Sequence, residues 1–226
     1  MESEYARLAD TIISKAKSHP KPRFLVAIAG APGSGKTTTA KAVQQQLNDN
    51  ETTVALLSMD GFHLPRATLD KLPNREEAYQ RRGAPWTFDV ELFLKFTRHL
   101  RAWADTVPAH ETPALYAPTF DHHTKDPVEN GTTIDQSASI VILEGNYLLL
   151  DKEEWREVAD LVDLCIFINV DLGIAQDRLA RRHVEAGIEK TLDDGYARVN
   201  GNDYLNGLEI RGNLIQPDIV LESVSE

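Results

Sequence analysis

One cysteine, Cys165 in the apolar run LCIFI, is all the thiol chemistry this chain has. That excludes a disulfide framework and a cysteine-built zinc site, and it points to a reducing compartment. Positive charge is also scarce: 24 Lys and Arg against 35 Asp and Glu leave a formal net charge of -11. Nucleic acid and anionic membrane surfaces bind through a positive field, so neither is expected as the main partner, and any positive site must be local. No apolar run approaches the roughly 20 residues of a membrane-spanning helix. The opening stretch MESEYARLADTIISKAKSHP carries acids and no continuous apolar core, so it reads as neither a secretory signal nor a transit peptide. The expectation is a soluble, cytoplasmic protein. Internal repeats, low-complexity tracts and long linkers are missing as well. What remains is 226 residues, 42% hydrophobic and 26% charged, a composition outside the disordered regime and suited to one α/β domain over 1–226.

Tyr5, Leu8, Ile12, Ile13 and Ala16 recur at helical spacing, predicting an amphipathic helix within 1–20 that packs on the body and ends before Pro20. The apolar runs Phe24–Ala29, Thr53–Met59, Ser139–Glu144 and Asp163–Val170 have the form of strands covered on both faces, and DIVLESV reads as a closing strand. Helical patterns separate them over Lys36–Leu47, Asp89–Trp103 and Leu172–Ala186. Such alternation predicts a doubly wound, mainly parallel sheet with helices on both faces. Two stretches, Gly61–Pro85 and Val107–Gly131, are rich in Pro, Arg, His and Asp without clear periodicity and read as irregular, substrate-side segments.

Residues Gly30–Thr37 spell GAPGSGKT, a match to G-x-x-x-x-G-K-[ST] between an apolar strand and a helix. Gly30, Gly33 and Gly35 allow backbone geometries closed to other residues, so the loop of Ala31, Pro32 and Ser34 through Thr38 frames a nest for phosphate at the positive end of the helix, every one of these residues but Pro32 having an N–H to offer. Lys36 can reach the β- and γ-phosphates, and the Thr37 hydroxyl can ligate Mg²⁺. A plain Gly-rich turn explains neither of those two residues. ATP with Mg²⁺ is therefore the expected cofactor pair.

An N-K-x-D motif is absent, which removes the switch GTPases. In LSMDGFHLP, Asp60 follows the second apolar run, which reads as a strand beside the phosphate-loop strand. At the carboxyl rim of such a sheet it could take the proton from an attacking hydroxyl, or it could be half of a turn-forming Asp-Gly pair. Glu144 ends the run SIVILE and could hold Mg²⁺ together with Thr37 and Asp60, or cap the next segment.

Taken in order, GAPGSGKT, MDGFH, RRGAPWTFD, ILEGNYLLL and DRLARR resemble the uridine kinase, phosphoribulokinase and pantothenate kinase family over roughly Phe24–Asn206. The resemblance implies a P-loop kinase fold, ATP, Mg²⁺ and a small hydroxyl-bearing acceptor. By position, Lys36 and Thr37 would hold phosphate and metal, Asp60 would act as base, and Glu144 would support the metal. Asp60-Gly61-Phe62 departs from the Asp-Ser-Phe-Tyr form of uridine kinases toward that of pantothenate kinases. The likeness is nearest to the uridine kinase-like or fructose transport kinase-like branch.

Arg178, Arg181 and Arg182 share one helix face or its edge within a region, about 171–190, that reads as a lid, with Arg178 and Arg182 the phosphate contacts. A solvated face paired with Asp177 and Glu185 is the alternative. For the acceptor, His63, Arg82, Trp86, Phe88, Tyr116, Asp121 and His122 are candidates, with Asp89 a helix cap. The pair His122-His123 beside Asp121 lacks a third ligand at zinc spacing. NGNDYLNG could lie over the adenine or simply form turns. The leading reading is transfer of the γ-phosphoryl from MgATP to a small metabolite, either nucleoside or pantothenate/sugar; the others are a regulatory ATPase and a nucleoside monophosphate kinase. A homodimer is the commonest assembly to expect.

Overall fold

The computed structural model of the chain describes residues 2–50, 52–107 and 113–223. Helix α1 (Glu2–Ser18) leads into β1 (Phe24–Gly30), the phosphate-binding turn and α2 (Lys36–Asp49). After β2 (Val54–Ser58) come a 3-10 turn (Met59–Phe62) and the short helices α3 (Arg66–Leu69) and α4 (Arg75–Gln80). Helix α5 (Val90–Asp105) is followed by β3 (Leu115–Asp121), β4 (Asp126–Ile134) and β5 (Ile140–Gly145). The chain continues through α6 (Glu157–Asp160), β6 (Leu164–Asn169), α7 (Leu172–Glu185), α8 (Leu192–Gly201), α9 (Asp203–Gly212) and β7 (Ile219–Glu222).

Five strands form one parallel sheet in the order β2-β5-β1-β6-β7. Every residue of β1 and β5 is buried, which is why both read as unbroken apolar runs. Successive side chains alternate between faces. Phe24, Val26 and Ile28 of β1 pack with Leu8 and Ile12 of α1 and Ala40, Val43 and Leu47 of α2. Leu25, Ala27 and Ala29 pack on the other face with Phe93, Leu100 and Trp103 of α5, Val158 of α6 and Ile210 of α9. Helices thus cover both faces, as the sequence pattern predicts. Each fully buried Leu, Ile or Val contributes about 1.5–3 kcal/mol, and only such two-sided cover removes this many from water.

Two expectations are corrected. The second apolar run does not lie beside β1: β5 is inserted between them, with Ser58 opposite Glu144 and Glu144 opposite Ile28. The stretch read as irregular around Tyr116–Asp126 is an antiparallel hairpin, β3–β4, and Gly61–Pro85 holds α3 and α4. The hairpin was hard to read because Pro118 interrupts β3 at a register shift between Ala117 and Thr119, and only Leu115, Ala117 and Ile134 reach the core.

Arg23, 1% exposed, ties the start of β1 to two other segments. Its guanidinium donates to the carbonyls of Ala138, Gln136, Trp103 and Thr106 and lies 3.8 Å from the centroid of the Trp103 ring. Burial lowers its pKa, and the four carbonyls and the indole offset the desolvation of its charge. Cys165 is buried in β6, its thiol pushed up to about 11 mainly by burial, which makes it a poor nucleophile.

Candidate functional site

The turn between β1 and α2 takes its shape from glycine. Gly33 and Gly35 have φ of 77° and 86°, in the left-handed region. A Cβ at Gly33 would also come within 2.8 Å of the Ala175 carbonyl on α7. Gly35 precedes α2 without a side-chain cap, so the first-turn amides of that helix are left for another partner. Positive φ at the turn, uncapped amides and the helix dipole together make an anion cradle. Beside it a cleft of about 390 Å³ is lined by Gly33, Ser34, Gly35, Thr38, Thr39, Tyr5 of α1, Arg178, Leu179 and Arg182 of α7, and Ser223 after β7.

Arg178 reaches back from α7 to the loop, donating to the Gly33 carbonyl at 3.2 Å and to Ser223 Oγ at 2.9 Å. Arg182 lines the same cleft and Arg181 does not, although both are exposed. Leu179, Ala180 and Val199 form their own small cluster joining α7 to α8.

Beneath the loop, the Thr37 hydroxyl donates to Glu144 Oε2 at 3.0 Å. Glu144 is 4% exposed, and a carboxylate so deeply buried with one neutral hydroxyl partner is under-compensated. A hydroxyl and a buried carboxylate oxygen, next to a phosphate cradle, are the donor set a Mg²⁺ ion takes when phosphate oxygens and water supply its other ligands. Among the described residues no cluster of three or more His, Cys, Asp or Glu forms a metal cage, so a phosphate-linked ion is the arrangement these residues fit.

Asp60 sits in the 3-10 turn beyond β2, two residues past the partner of Glu144. Its amide donates to Ser58 Oγ, and its carbonyl accepts from His63 N and meets His63 Nδ1 at 2.7 Å. These bonds fix the backbone and leave the half-buried carboxylate without a hydrogen bond to a described residue. The His63 ring stacks between Phe88 at 4.0 Å and Phe120 at 4.7 Å. Burial lowers its pKa, opposed by Asp60 and reinforced by Arg82 and His122, so it is neutral at neutral pH.

The acceptor candidates divide. Asp60, His63, Phe88, Arg82 and His122 form one neighbourhood: Phe88 is its buried floor, His122 packs against the edge of Phe120, and the Arg82 guanidinium lies 5.5 Å from the Phe120 centroid. Trp86 and Tyr116 point outward, 42% and 56% exposed, and the buried Leu115 and Ala117 flank Tyr116. Asp121 belongs to the hairpin turn, accepting from His123 N and Thr124 Oγ1, bonds that lower its pKa. Asp89 caps α5 through Leu92 N.

The segment NGNDYLNG bonds to the acceptor side: Asn202 donates to the Arg82 carbonyl, and Asn206 accepts from Arg81. The cleft beside the phosphate loop takes Tyr5 and Ser223 instead. Sequence reasoning also passed over Tyr147, buried and donating to the Gly83 carbonyl at 2.5 Å. Asp203 went unremarked as well; burial raises its carboxyl although His183, Arg182, Arg198 and Lys36 all oppose the shift. The tyrosine after Glu144-Gly145 was the only available signal for the first, and nothing marked the second.

The model of the "Phosphoribulokinase / Uridine kinase family" matches residues 25–200. A Schizosaccharomyces pombe protein named "Putative uridine kinase C227.14" is 35% identical over 224 residues, covering 98% of this chain and 92% of that one. The crystal structure of a "putative fructose transport system kinase" from Silicibacter sp. TM1040 superposes with a TM-score of 0.83 at 28% identity, covering 96% of this chain and 98% of the other. YFH7 from Saccharomyces cerevisiae superposes with a TM-score of 0.86 at 24% identity, covering 98% and 99%. The chain belongs to the phosphoribulokinase / uridine kinase family and is an ATP-dependent P-loop kinase.

Proposed function

We propose that this kinase transfers the γ-phosphoryl group of MgATP to a hydroxyl of a small polar metabolite, with Asp60 as the base. The observation that carries the reading is the Thr37–Glu144 hydrogen bond below the phosphate loop, one strand away from a half-buried Asp60 carboxylate without a hydrogen bond to a described residue. Lys36 and the backbone N–H groups of Gly33 to Thr38 grip the triphosphate, and Arg178 and Arg182 close on it from α7. Thr37 and Glu144 would hold Mg²⁺, which when bound neutralises charge on the β- and γ-phosphates.

In the transfer the acceptor oxygen forms a bond to Pγ as the bond from Pγ to the bridging β-oxygen breaks, and ADP leaves. The hydroxyl proton passes to the Asp60 carboxylate. His63, neutral and stacked, offers a ring nitrogen and an apolar face to the acceptor rather than a charge.

Two variants test this. Lys36→Ala is expected to abolish turnover. Asp60→Asn is expected to keep magnesium-dependent ATP binding by calorimetry and lose transfer by a factor of about 100 or more. Full transfer in Asp60→Asn removes the base assignment. ADP matched by free phosphate, with no phosphorylated acceptor in any screen, would make the chain an ATPase.

A further inference from the structure

Arg7, Arg75, Arg98, Arg101, Arg156 and Arg198 each have a carboxylate oxygen within hydrogen-bond distance. Arg81 and Arg82, consecutive in the turn after α4, do not; nor do Arg23 and Arg211, which several carbonyl or amide oxygens hold instead. Arg81 donates to the neutral amide oxygen of Asn206 at 3.0 Å. Arg82 donates to the Leu64 carbonyl at 3.0 Å; its nearest carboxylate, Asp126, is 3.7 Å away and already accepts from Arg66 N at 2.8 Å. The Nε atoms of both are buried without a partner, as is that of Arg101. The Arg82 side chain is only 14% exposed, and burial lowers its pKa against the pull of Asp126. A guanidinium held by one carbonyl and a distant, shared carboxylate is only partly compensated.

Arg82 lies against the acceptor neighbourhood, and Arg81 reaches α9 through Asn206. The Arg82 guanidinium lies 5.5 Å from the ring centroid of Phe120, which packs on His63, and His63 feels the charges of Asp60 and Arg82; Tyr147 feels first Glu209 and Asp203, then Arg81 and Asp60. The two cations thus stand at the hairpin wall and at the α9 wall of the acceptor neighbourhood. In a chain of net charge -11, Arg81 and Arg82 are cations distinct from Arg178 and Arg182, which line the cleft beside the phosphate loop.

Resting on the kinase reading above, we infer that the acceptor is a small hydroxyl compound bearing an anionic group, carboxylate or phosphate, which Arg82 and Arg81 bind while its hydroxyl is turned to Asp60. Arginine suits such a group because its planar fork meets two oxygens at once. Neutral nucleosides and free sugars lack the charge that would compensate the pair.

The test uses the full chain and matched acceptors: glycerate against glycerol, fructose 6-phosphate against fructose, with pantothenate and uridine added. ADP release is followed, and the phosphorylated product is identified by mass spectrometry. The carboxylate and phosphate arms separate the two sources of charge. At least one anionic member is expected to exceed its neutral counterpart by about tenfold or more in kcat/KM. Arg82→Gln should collapse that preference mainly through KM, and Arg82→Lys should restore part of it. Preferred transfer to uridine or another neutral acceptor, or a preference untouched by Arg82→Gln, overturns the inference and leaves the kinase reading standing. Free phosphate matching ADP in every arm sinks both.

A second measurement needs no acceptor. With the phosphate loop filled by a non-hydrolysable MgATP analogue, inorganic sulfate is titrated by calorimetry into wild type, Arg81→Gln and Arg82→Gln. Binding by wild type that both variants weaken by about tenfold supports the anion site, and no binding by wild type overturns it.

Discussion

Gly61 is the residue where the packing around the proposed base can be tested most directly. Its φ lies outside the left-handed region, so alanine is not barred by backbone conformation. The obstacle is space: a Cβ there would lie 2.1 Å from the Pro118 carbonyl oxygen, 2.5 Å from its carbon and 3.0 Å from Thr119 N. Ordinary contact is roughly 3.5 Å, so the hairpin must retreat by about 1 Å or more. The obstructing atoms are backbone, in a strand whose Ala117 and Thr119 pair with Thr132 and Val128, and cannot rotate away as a side chain could. Overpacking of this kind costs about 1–3 kcal/mol. The displacement also reaches the acceptor wall, since β3 carries Phe120, stacked on His63. Gly61→Ala is therefore expected to lower stability to urea by about 1–3 kcal/mol, to speed amide exchange in 115–121 and 126–134, and to leave MgATP binding intact. A variant within about 0.5 kcal/mol of wild type, with hairpin exchange unchanged, would refute the reasoning.

Further outcomes follow from other parts of the molecule. Arg23→Met should destabilise by about 3 kcal/mol or more in urea unfolding, because it strands four carbonyls that now accept from one guanidinium. Tyr5→Ala should raise KM for ATP by about fivefold with little change in kcat, since Tyr5 lines the cleft beside Thr38 and Arg178; an unchanged KM would remove α1 from the site. His63 and His183 both have lowered pKa values through burial, so in acid the unfolded chain binds protons the folded one does not. Their contribution is complete above the unfolded value of about 6.5 and is lost as pH falls below it. Urea midpoints should drop between pH 7 and 5.5, and less so in His63→Gln.

The phosphate cradle was legible because its chemistry is contiguous: three glycines, a lysine and a threonine within eight residues dictate their own backbone geometry. The strands and long helices were legible for a similar reason, burial on one or both faces being written in short-range periodicity. β3 was not, because Pro118 and an exposed partner strand erase the alternation. Asp60 and Glu144 could be nominated as strand-end acids, but their closeness depends on β5 lying between β1 and β2.

Sequence alone thus determined the local elements: the loop that grips phosphate, the helix it opens, and the apolar strands that must be covered on both sides. Only the tertiary structure decided the strand order, the hairpin over Gly61, the approach of Tyr5 to the cleft, and the setting of Arg81 and Arg82 against Asn206 and Leu64. The physical reason is separation along the chain. A backbone conformation is set by neighbours a few residues away, whereas contacts between residues 18 to 125 apart are chosen by how the whole apolar surface packs.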